Sequence, residues 1–440
     1  MGIVSALGKG VDDSAVRLRR FENCIEVVPE LEGYKGLNSH LGCLARFERP
    51  AHWTRKTTRT MGPVSEYALA ATEEAVAQAG LDAATLESGR CGVAYGSCSG
   101  SVRAHLDLYS MFSSNEVKNV TSGTYIKLMP QTTACNLSVH YKTHGRLVPT
   151  GTACTSGSLA IGNAYELIKY GLQDVMIAGG AEEFSPTQVA IFDTLYATSL
   201  KNDAPEASPA PYDAGRDGLV VGEGAGTLIL EEYERAKARG AKILAEVVGF
   251  FENTDGTHVT NPNHETMSAC LAGALADAGL SADAIGYVNG HGTATKAGDI
   301  AETTATRDVF RRAVPISSTK SYIGHTLGAC GAIEAEMSIM MMNAGWFHPT
   351  LNLRAPDREC APLDYISGEG REIDAEYVMS NNFAFGGVNT SLVFRRMYSP
   401  VQPTGGIYGI ISPYLLENQL ESTGVTQWAV FAALCPKGIA

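Results

Sequence analysis

Asp174-Val-Met-Ile-Ala-Gly-Gly-Ala-Glu182 is a continuous apolar run bounded by glycines, with no polar alternation along it. A strand that is apolar on both sides must be covered on both sides, so it belongs inside a sheet flanked by helices. Cys91-Gly-Val-Ala-Tyr-Gly96 reads as a second buried strand that ends in a Gly/Ser-rich turn, and Gly222 to Glu231 is another β-rich stretch. Between Met61 and Gly80 the residues Tyr67, Ala71, Ala75, Val76 and Ala79 recur at helical spacing, with Gly80 closing the helix. Strands of this kind alternating with helices predict an α/β layered fold.

The pattern then repeats. After a helix ending near Gly240 come a strand over Ala241 to Phe250, a helix over Thr266 to Gly279 and a strand over Ala284 to Gly290 that delivers His291. A helix over Glu302 to Phe310, the strand Pro315 to Ser318 and a turn holding Lys320 and His325 follow, before a helix opening at Gly328. The chain therefore divides into residues 1–240, residues 241–397 and an extension over 398–440. The extension carries only Glu417, Glu421 and Lys437 as charges, and is expected to be dispensable for chemistry. Residues 20–50 lack periodicity and read as a surface excursion, and 113–148 as mixed polar turns. The opening Met1-Gly-Ile-Val-Ser reads as the end of a strand whose apolar run is missing.

Cys154 stands in Gly151-Thr-Ala-Cys-Thr-Ser-Gly157, and Ile161, Ala164, Leu167 and Ile168 then follow at helical spacing up to Gly171. A thiol at a helix mouth faces unsatisfied N–H groups and the positive end of the macrodipole, which predicts a lowered pKa and a nucleophile. Two histidines sit between glycines at strand ends, in Asn289-Gly-His-Gly-Thr-Ala-Thr295 and Ser318-Thr-Lys-Ser-Tyr-Ile-Gly-His-Thr-Leu-Gly328. With the cysteine they point to nucleophilic catalysis. Neither has an Asp, Glu or Cys at ligand spacing, so no metal is expected.

Composition narrows the partners. A formal charge of -13 over 440 residues argues against nucleic acid or an anionic membrane as the principal partner. Ten cysteines without a C-x-x-C pair suggest a reducing, cytoplasmic setting, and no stretch approaches the ~20 apolar residues that span a bilayer.

Over roughly residues 2 to 396 the chain resembles elongating β-ketoacyl-acyl carrier protein synthases, the condensing enzymes of type II fatty acid and polyketide synthesis. The carriers are Thr-Ala-Cys-Thr-Ser-Gly, Asn-Gly-His-Gly-Thr-Ala-Thr, Thr-Lys-Ser-Tyr-Ile-Gly-His-Thr-Leu-Gly-Ala and Asn-Phe-Ala-Phe-Gly-Gly-Val-Asn, in that order. The resemblance implies a thiolase-like α/β fold of five layers, αβαβα, in two similar halves. It also implies a homodimer or a heterodimer with a related ketosynthase subunit, acyl carrier protein as partner, and no cofactor.

Carried onto this chain, the resemblance makes Cys154 the acylated residue and His291 and His325 the donors to the enolate. Lys320 would order the His325 side, supported by Glu334. Phe385 is the gating aromatic, and its N–H joins that of Cys154 in the oxyanion hole. Thr293 and Thr295 would bind the phosphopantetheine arm, and Arg55, Lys56, Arg59 and Lys201 would dock the carrier protein. Cys98 and Ser99 depart from the family at the acyl pocket, which suggests a more polar or differently shaped pocket. The family's opening strand, central to its sheet, is largely missing. A thiolase is disfavoured because a second cysteine in a Gly-rich turn near the C-terminus is replaced by Phe-Gly-Gly-Val-Asn. The alternative from another class is a chain-length factor, a non-catalytic partner subunit; such subunits lack the nucleophile present here. Fatty acid and specialised polyketide or polyene pathways both remain open.

Overall fold

Apolar runs without alternation become the inner strands. The computed structural model describes residues 1–397 and the backbone of 431–434. The first half carries β1 (Gly2–Ser5), β2 (Cys91–Gly96), β3 (Leu147–Thr150), β4 (Val175–Glu182) and β5 (Gly224–Glu232). The second carries β6 (Ile243–Thr254), β7 (Ile285–Asn289), β8 (Pro315–Ser317), β9 (Tyr377–Ala384) and β10 (Val388–Arg396). Every residue of β2 and β4 is buried, as strands covered on both faces require.

The pairing duplicates. In the first half β2 runs parallel to β3 and β4, β4 antiparallel to β5, and β5 antiparallel to β1. In the second, β7 runs parallel to β8 and β9, β9 antiparallel to β10, and β10 antiparallel to β6. The two runs are joined through the backbone of β11 (Phe431–Leu434), which lies parallel to both β5 and β6.

The helices that bear on the layers and the site are α1 (Arg55–Thr58), α2 (Pro63–Ala79), α3 (Val102–Ser114), α4 (Ser156–Lys169), α5 (Pro186–Thr194), α6 (His264–Ala278), α7 (Lys296–Phe310), α8 (Lys320–Ile323) and α9 (Cys330–Ala344). The central layer is α4 and α9, packed on each other and on strands of both halves. Helix α9 is buried without a break from Cys330 to Ile339, so it is apolar nearly all round rather than amphipathic. Outer layers come from α2 on the first half and from α6 and α7 on the second. The core divides accordingly: Ile161, Ala164, Ile333 and Met337 lie in the middle, Leu69, Val93 and Ile177 under α2, and Leu271, Val288 and Val393 under α6. This is the thiolase-like αβαβα architecture in two similar halves.

The two central helices cross through glycine. A Cβ on Gly157 would meet Ala332 N at 2.8 Å, and one on Gly331 would meet Ser158 N at 2.6 Å. Both obstacles are backbone, which no side-chain rotation can clear.

Three local expectations change. The opening residues do form a strand, β1, four residues long and fully buried. It lies on the outer side of β5 rather than centrally, because β4 already holds the other edge of β5. Residues 20–50 are anchored, with a short pair Glu26–Val27 and Leu41–Gly42 and with Leu31, Leu41 and Cys43 buried. Their partners are distant in sequence, so local periodicity carries no sign of them. Within 113–148 lie two helices, Ser122–Leu128 and Thr132–Tyr141. The expectation for the extension, residues 398–440, falls outside the described residues apart from the backbone of β11.

Candidate active site

Two turns, one from each half, converge on a single point. After β3 the chain makes a 3-10 turn at Ala153–Thr155 and enters α4, which leaves Cys154 just ahead of the helix. Ala153 is held at φ 51°, a left-handed geometry that costs a non-glycine residue about 1–2 kcal/mol. Ser156 braces it: its hydroxyl donates to Ala153 O at 2.7 Å and accepts the Thr152 N–H at 3.0 Å. The second half repeats the device with Leu327 at φ 47° between His325 and α9.

His325 Nε2 lies 3.0 Å from Cys154 Sγ, while the backbone N–H of Leu327 donates to His325 Nδ1 at 3.2 Å. A neutral ring that accepts at Nδ1 carries its proton on Nε2, so His325 presents an N–H to the sulfur. His291, delivered by the end of β7, is held the same way. Lys320 Nζ is 3.1 Å and Asn382 Nδ2 3.3 Å from its Nδ1, and an ammonium can only donate. Its backbone N–H donates to Glu302 Oε1 at 2.5 Å. The two imidazoles stand nearly perpendicular, 87° between planes and 5.2 Å between centroids. Burial, reinforced by the Lys320 charge, holds both well below the ordinary histidine range, so both rings are neutral at pH 7.

Behind His291 the polar groups close into a network. Glu334 Oε1 lies 2.5 Å from Lys320 Nζ, and Glu334 Oε2 accepts from Asn382 Nδ2 at 2.7 Å. Burial disfavours the Lys320 charge, but Cys330, Glu334 and Glu302 around it outweigh burial and hold its pKa above the ordinary value. This corrects one assignment: Lys320 orders His291, whereas His325 is set by the backbone of its own turn. Asn382 and Glu302 escaped sequence reasoning. Asn382 opens the motif that contains Phe385, but nothing in the sequence assigns it a role; it lies on β9 with its side chain buried. Glu302 reads as an ordinary helical acid until tertiary packing brings it under the N–H groups of His291 and Gly292.

The lowered pKa expected for Cys154 is overturned. Cys154 is 5% exposed, and burial pushes its thiol up to about 11, against the pull of Lys320 and of the backbone N–H groups of Phe385 and Cys154. Desolvation of a thiolate outweighs a helix end when the sulfur is this deeply buried.

Cys154, His291 and His325 open into a cavity of about 400 Å³, whose wall includes Thr293, Thr295 and Phe385. The hydroxyls of Thr293 and Thr295 are 2.8 Å apart. Phe385 sits between β9 and β10 with its ring 5.4 Å from that of Phe192. Cys98 and Ser99 do not line this cavity. The Cys98 N–H donates to Glu182 Oε2 at 2.8 Å, and its side chain packs against an apolar cluster that includes Val189 and Phe192. Arg55 and Lys56 are on the surface helix α1, and Arg59 follows it beside a second cavity of about 420 Å³ that also meets Arg103 and Lys127. Lys201 is partly spent, with Nζ donating to Ala207 O and Gly215 O and lying 3.5 Å from Asp217.

Two triplets among the described residues bring metal-ligand atoms within 4.8 Å of one another: Cys154, His291 and His325, and His291, Cys330 and Glu334. Their chemistry is that of donors. His325 offers the sulfur a protonated nitrogen, and the second triplet already holds the ammonium of Lys320 against Glu334 and His291. Among the described residues no helix is long and apolar enough to cross a membrane.

The comparisons with known proteins agree with this geometry. Residues 1–236 match the family model of the Beta-ketoacyl synthase, N-terminal domain, and residues 244–354 that of the Beta-ketoacyl synthase, C-terminal domain. The chain is 37% identical to the 3-oxoacyl-[acyl-carrier-protein] synthase 2 of Vibrio cholerae over 405 residues, covering 90% of this chain and 98% of that one. A solved β-ketoacyl synthase from Burkholderia phymatum STM815 superposes with a TM-score of 0.89 at 55% identity, again over 90% and 98% of the two chains. A ketosynthase bound to the hexaketide, in complex with its type II acyl-carrier protein, gives 0.81 at 28% identity over the same shares. The duplicated layers and the Cys-His-His centre define a condensing acyltransferase. The chain belongs to the β-ketoacyl synthase family.

Proposed function

We propose that the enzyme condenses a Cys154-bound acyl group with malonyl-acyl carrier protein, releasing CO2 and β-ketoacyl-acyl carrier protein, in fatty acid or type II polyketide synthesis. The observation that carries the reading is the pair of fixed imidazole tautomers: both Nδ1 atoms accept, so the Nε2 protons of His291 and His325 are left to stabilise negative charge beside Cys154.

In the first half-reaction the Cys154 sulfur adds to the acyl thioester carbonyl, the carrier thiol leaves, and the thiol proton goes with it. The N–H groups of Cys154 and Phe385, which already face the sulfur, hold the tetrahedral oxyanion. In the second, the bond from the malonyl carbon to its carboxylate breaks and its electrons form an enolate, whose oxygen is held by the two Nε2–H groups. The enolate carbon attacks the acyl-cysteine, and Cys154 leaves and regains its proton. Neutral rings suit this role, because a donor that is uncharged at rest adds no positive charge to a buried site before the enolate forms. Asn382, Lys320 and Glu334 act through His291 as positioning residues, and Thr293 and Thr295 take the amides of the pantetheine arm.

Acyl carrier protein is the partner that this reading requires, with Arg55, Lys56, Arg59 and Lys201 as its docking residues. A second subunit, identical or related, belongs to the same reading. Its support is the exposed apolar row Leu106, Tyr109 and Phe112 on α3 and the outer edge of β3, which pairs with no further strand among the described residues. The halves divide near residue 240, and the scattered cysteines, with no C-x-x-C pair, favour a cytoplasmic setting.

The test is intact-mass measurement after incubation with acyl carrier proteins of several chain lengths. Cys154 should gain the acyl mass, and Cys154→Ala should lose condensation yet keep malonyl decarboxylation. Normal acyl loading of the Cys154→Ala protein would refute the assignment.

A further inference from the structure

One residue at the mouth of the cavity is held in a conformation that its side chain disfavours. Helix α5 ends in a Schellman motif: the Tyr196 N–H donates to Asp193 O and the Ala197 N–H to Phe192 O, both at 3.0 Å. The motif puts Tyr196 in the left-handed region at φ 54°, where glycine is strongly preferred. Gly80, Gly279 and Gly345 close α2, α6 and α9 in that region at φ 61°, 65° and 64°, and the non-glycine residues that close other helices there, Asn115, Lys142 and Arg311 at φ 55°, 52° and 52°, are polar, unlike Tyr196. Phe21 shares the geometry but packs on Trp346, 6.3 Å between centroids. Tyr196 is 92% exposed, so its own packing does not repay the strain. Residues held in sparsely populated backbone regions gather at active sites and ligand clamps.

The position says which partner. Tyr196 lines the same cavity as Cys154, His291 and His325, at its open end. Leu195 beside it is 46% exposed and Val259 across the mouth 68%. Val259 O accepts the Gly386 N–H at 2.7 Å, which ties this rim to the Phe385 segment. A thioester on a tethered arm that reaches Cys154 through this mouth brings the protein bearing the arm onto the rim. Tyrosine is favoured at interface hot spots because it offers a rigid apolar body with a polar tip. We propose that Tyr196, with Leu195 and Val259, is the apolar seat on which the acyl carrier protein rests when it delivers its thioester. The inference rests on the carrier-dependent reaction proposed above, and adds to it a protein contact separate from the basic residues Arg55, Lys56, Arg59 and Lys201.

The experiment uses the full chain and Escherichia coli acyl carrier protein in acyl, malonyl and apo forms; the apo form lacks the arm and reports the protein contact alone. Wild-type turnover of the acyl and malonyl forms tests the reaction itself, and its absence overturns both the reaction and this contact. Given turnover, Tyr196→Gly should weaken apo-carrier binding about tenfold, should place its kinetic loss in the KM for acyl carrier protein, and should not lower Tm, since glycine fits φ 54°. Tyr196→Phe should bind apo carrier more tightly than Tyr196→Gly. Apo-carrier binding by Tyr196→Gly within twofold of wild type overturns the contact while leaving the reaction standing. An equal KM rise with acyl-pantetheine also overturns it, because Tyr196 would then serve the arm rather than the protein.

Discussion

At the scale of the residue, the site trades charge for geometry. Cys154 is a buried thiol with a pKa pushed up to about 11, and its neighbours are neutral imidazoles aimed by Lys320, Asn382 and the Leu327 N–H. The thiolate is the species that reacts with an alkylating agent. Iodoacetamide modification of Cys154, followed by intact mass, should therefore accelerate about tenfold per pH unit between pH 7 and 9. A plateau by pH 8 would mean that the helix mouth governs the thiol after all. The histidines carry a linked consequence for folding. Their folded pKa values lie well below the ordinary value, so the unfolded chain binds more protons than the folded one beneath about pH 6.5. They therefore oppose folding as the pH falls through that range.

At the scale of the element, the geometry of the site depends on how closely α4 approaches α9, since Cys154 and His325 stand in the turns that lead into these helices. Gly157 and Gly331 set that approach. Gly331→Ala puts a methyl group 2.6 Å from Ser158 N, and Gly331 has an ordinary helical φ, so the cost is overpacking rather than backbone strain. A loss of about 1–3 kcal/mol is expected from urea denaturation, with condensation falling further than stability alone explains because the Cys154–His325 distance widens. Wild-type stability in Gly331→Ala would show that the crossing is loose.

At the scale of the whole molecule, two surfaces are open to test. The row Leu106, Tyr109 and Phe112, exposed at 66%, 60% and 73%, is unusually apolar for a free helix face. If a second subunit covers it, Phe112→Asp should shift the protein from dimer to monomer in light scattering; an unchanged dimer places the interface elsewhere. On the carrier side, reversing Arg55 and Lys56 together should raise KM for acyl carrier protein more than it lowers kcat. The wild-type KM should also rise with salt, because exposed charges are screened over about 8 to 10 Å. An unchanged KM in the double reversal means that docking bypasses α1.

Much of this protein was legible in one dimension. Cys154, His291 and His325 stand out by their small, glycine-flanked turns, which leave a side chain unscreened, and the structure brings the three together at one cavity. The layered class follows from runs such as Asp174 to Glu182, because burial on both faces is written into local composition. The duplicated order of strands and helices follows for the same reason. What only the tertiary structure decided is everything set by groups far apart in the chain. Lys320 orders His291 across 29 positions rather than its near neighbour His325, and Asn382 reaches the same nitrogen across 91. Cys98 turns towards Glu182 instead of lining the cavity, and β1 sits outside β5 because β4 takes the inner edge. The Cys154 thiol is raised rather than lowered, because a helix end is a local feature whereas desolvation is a property of the closed core around it.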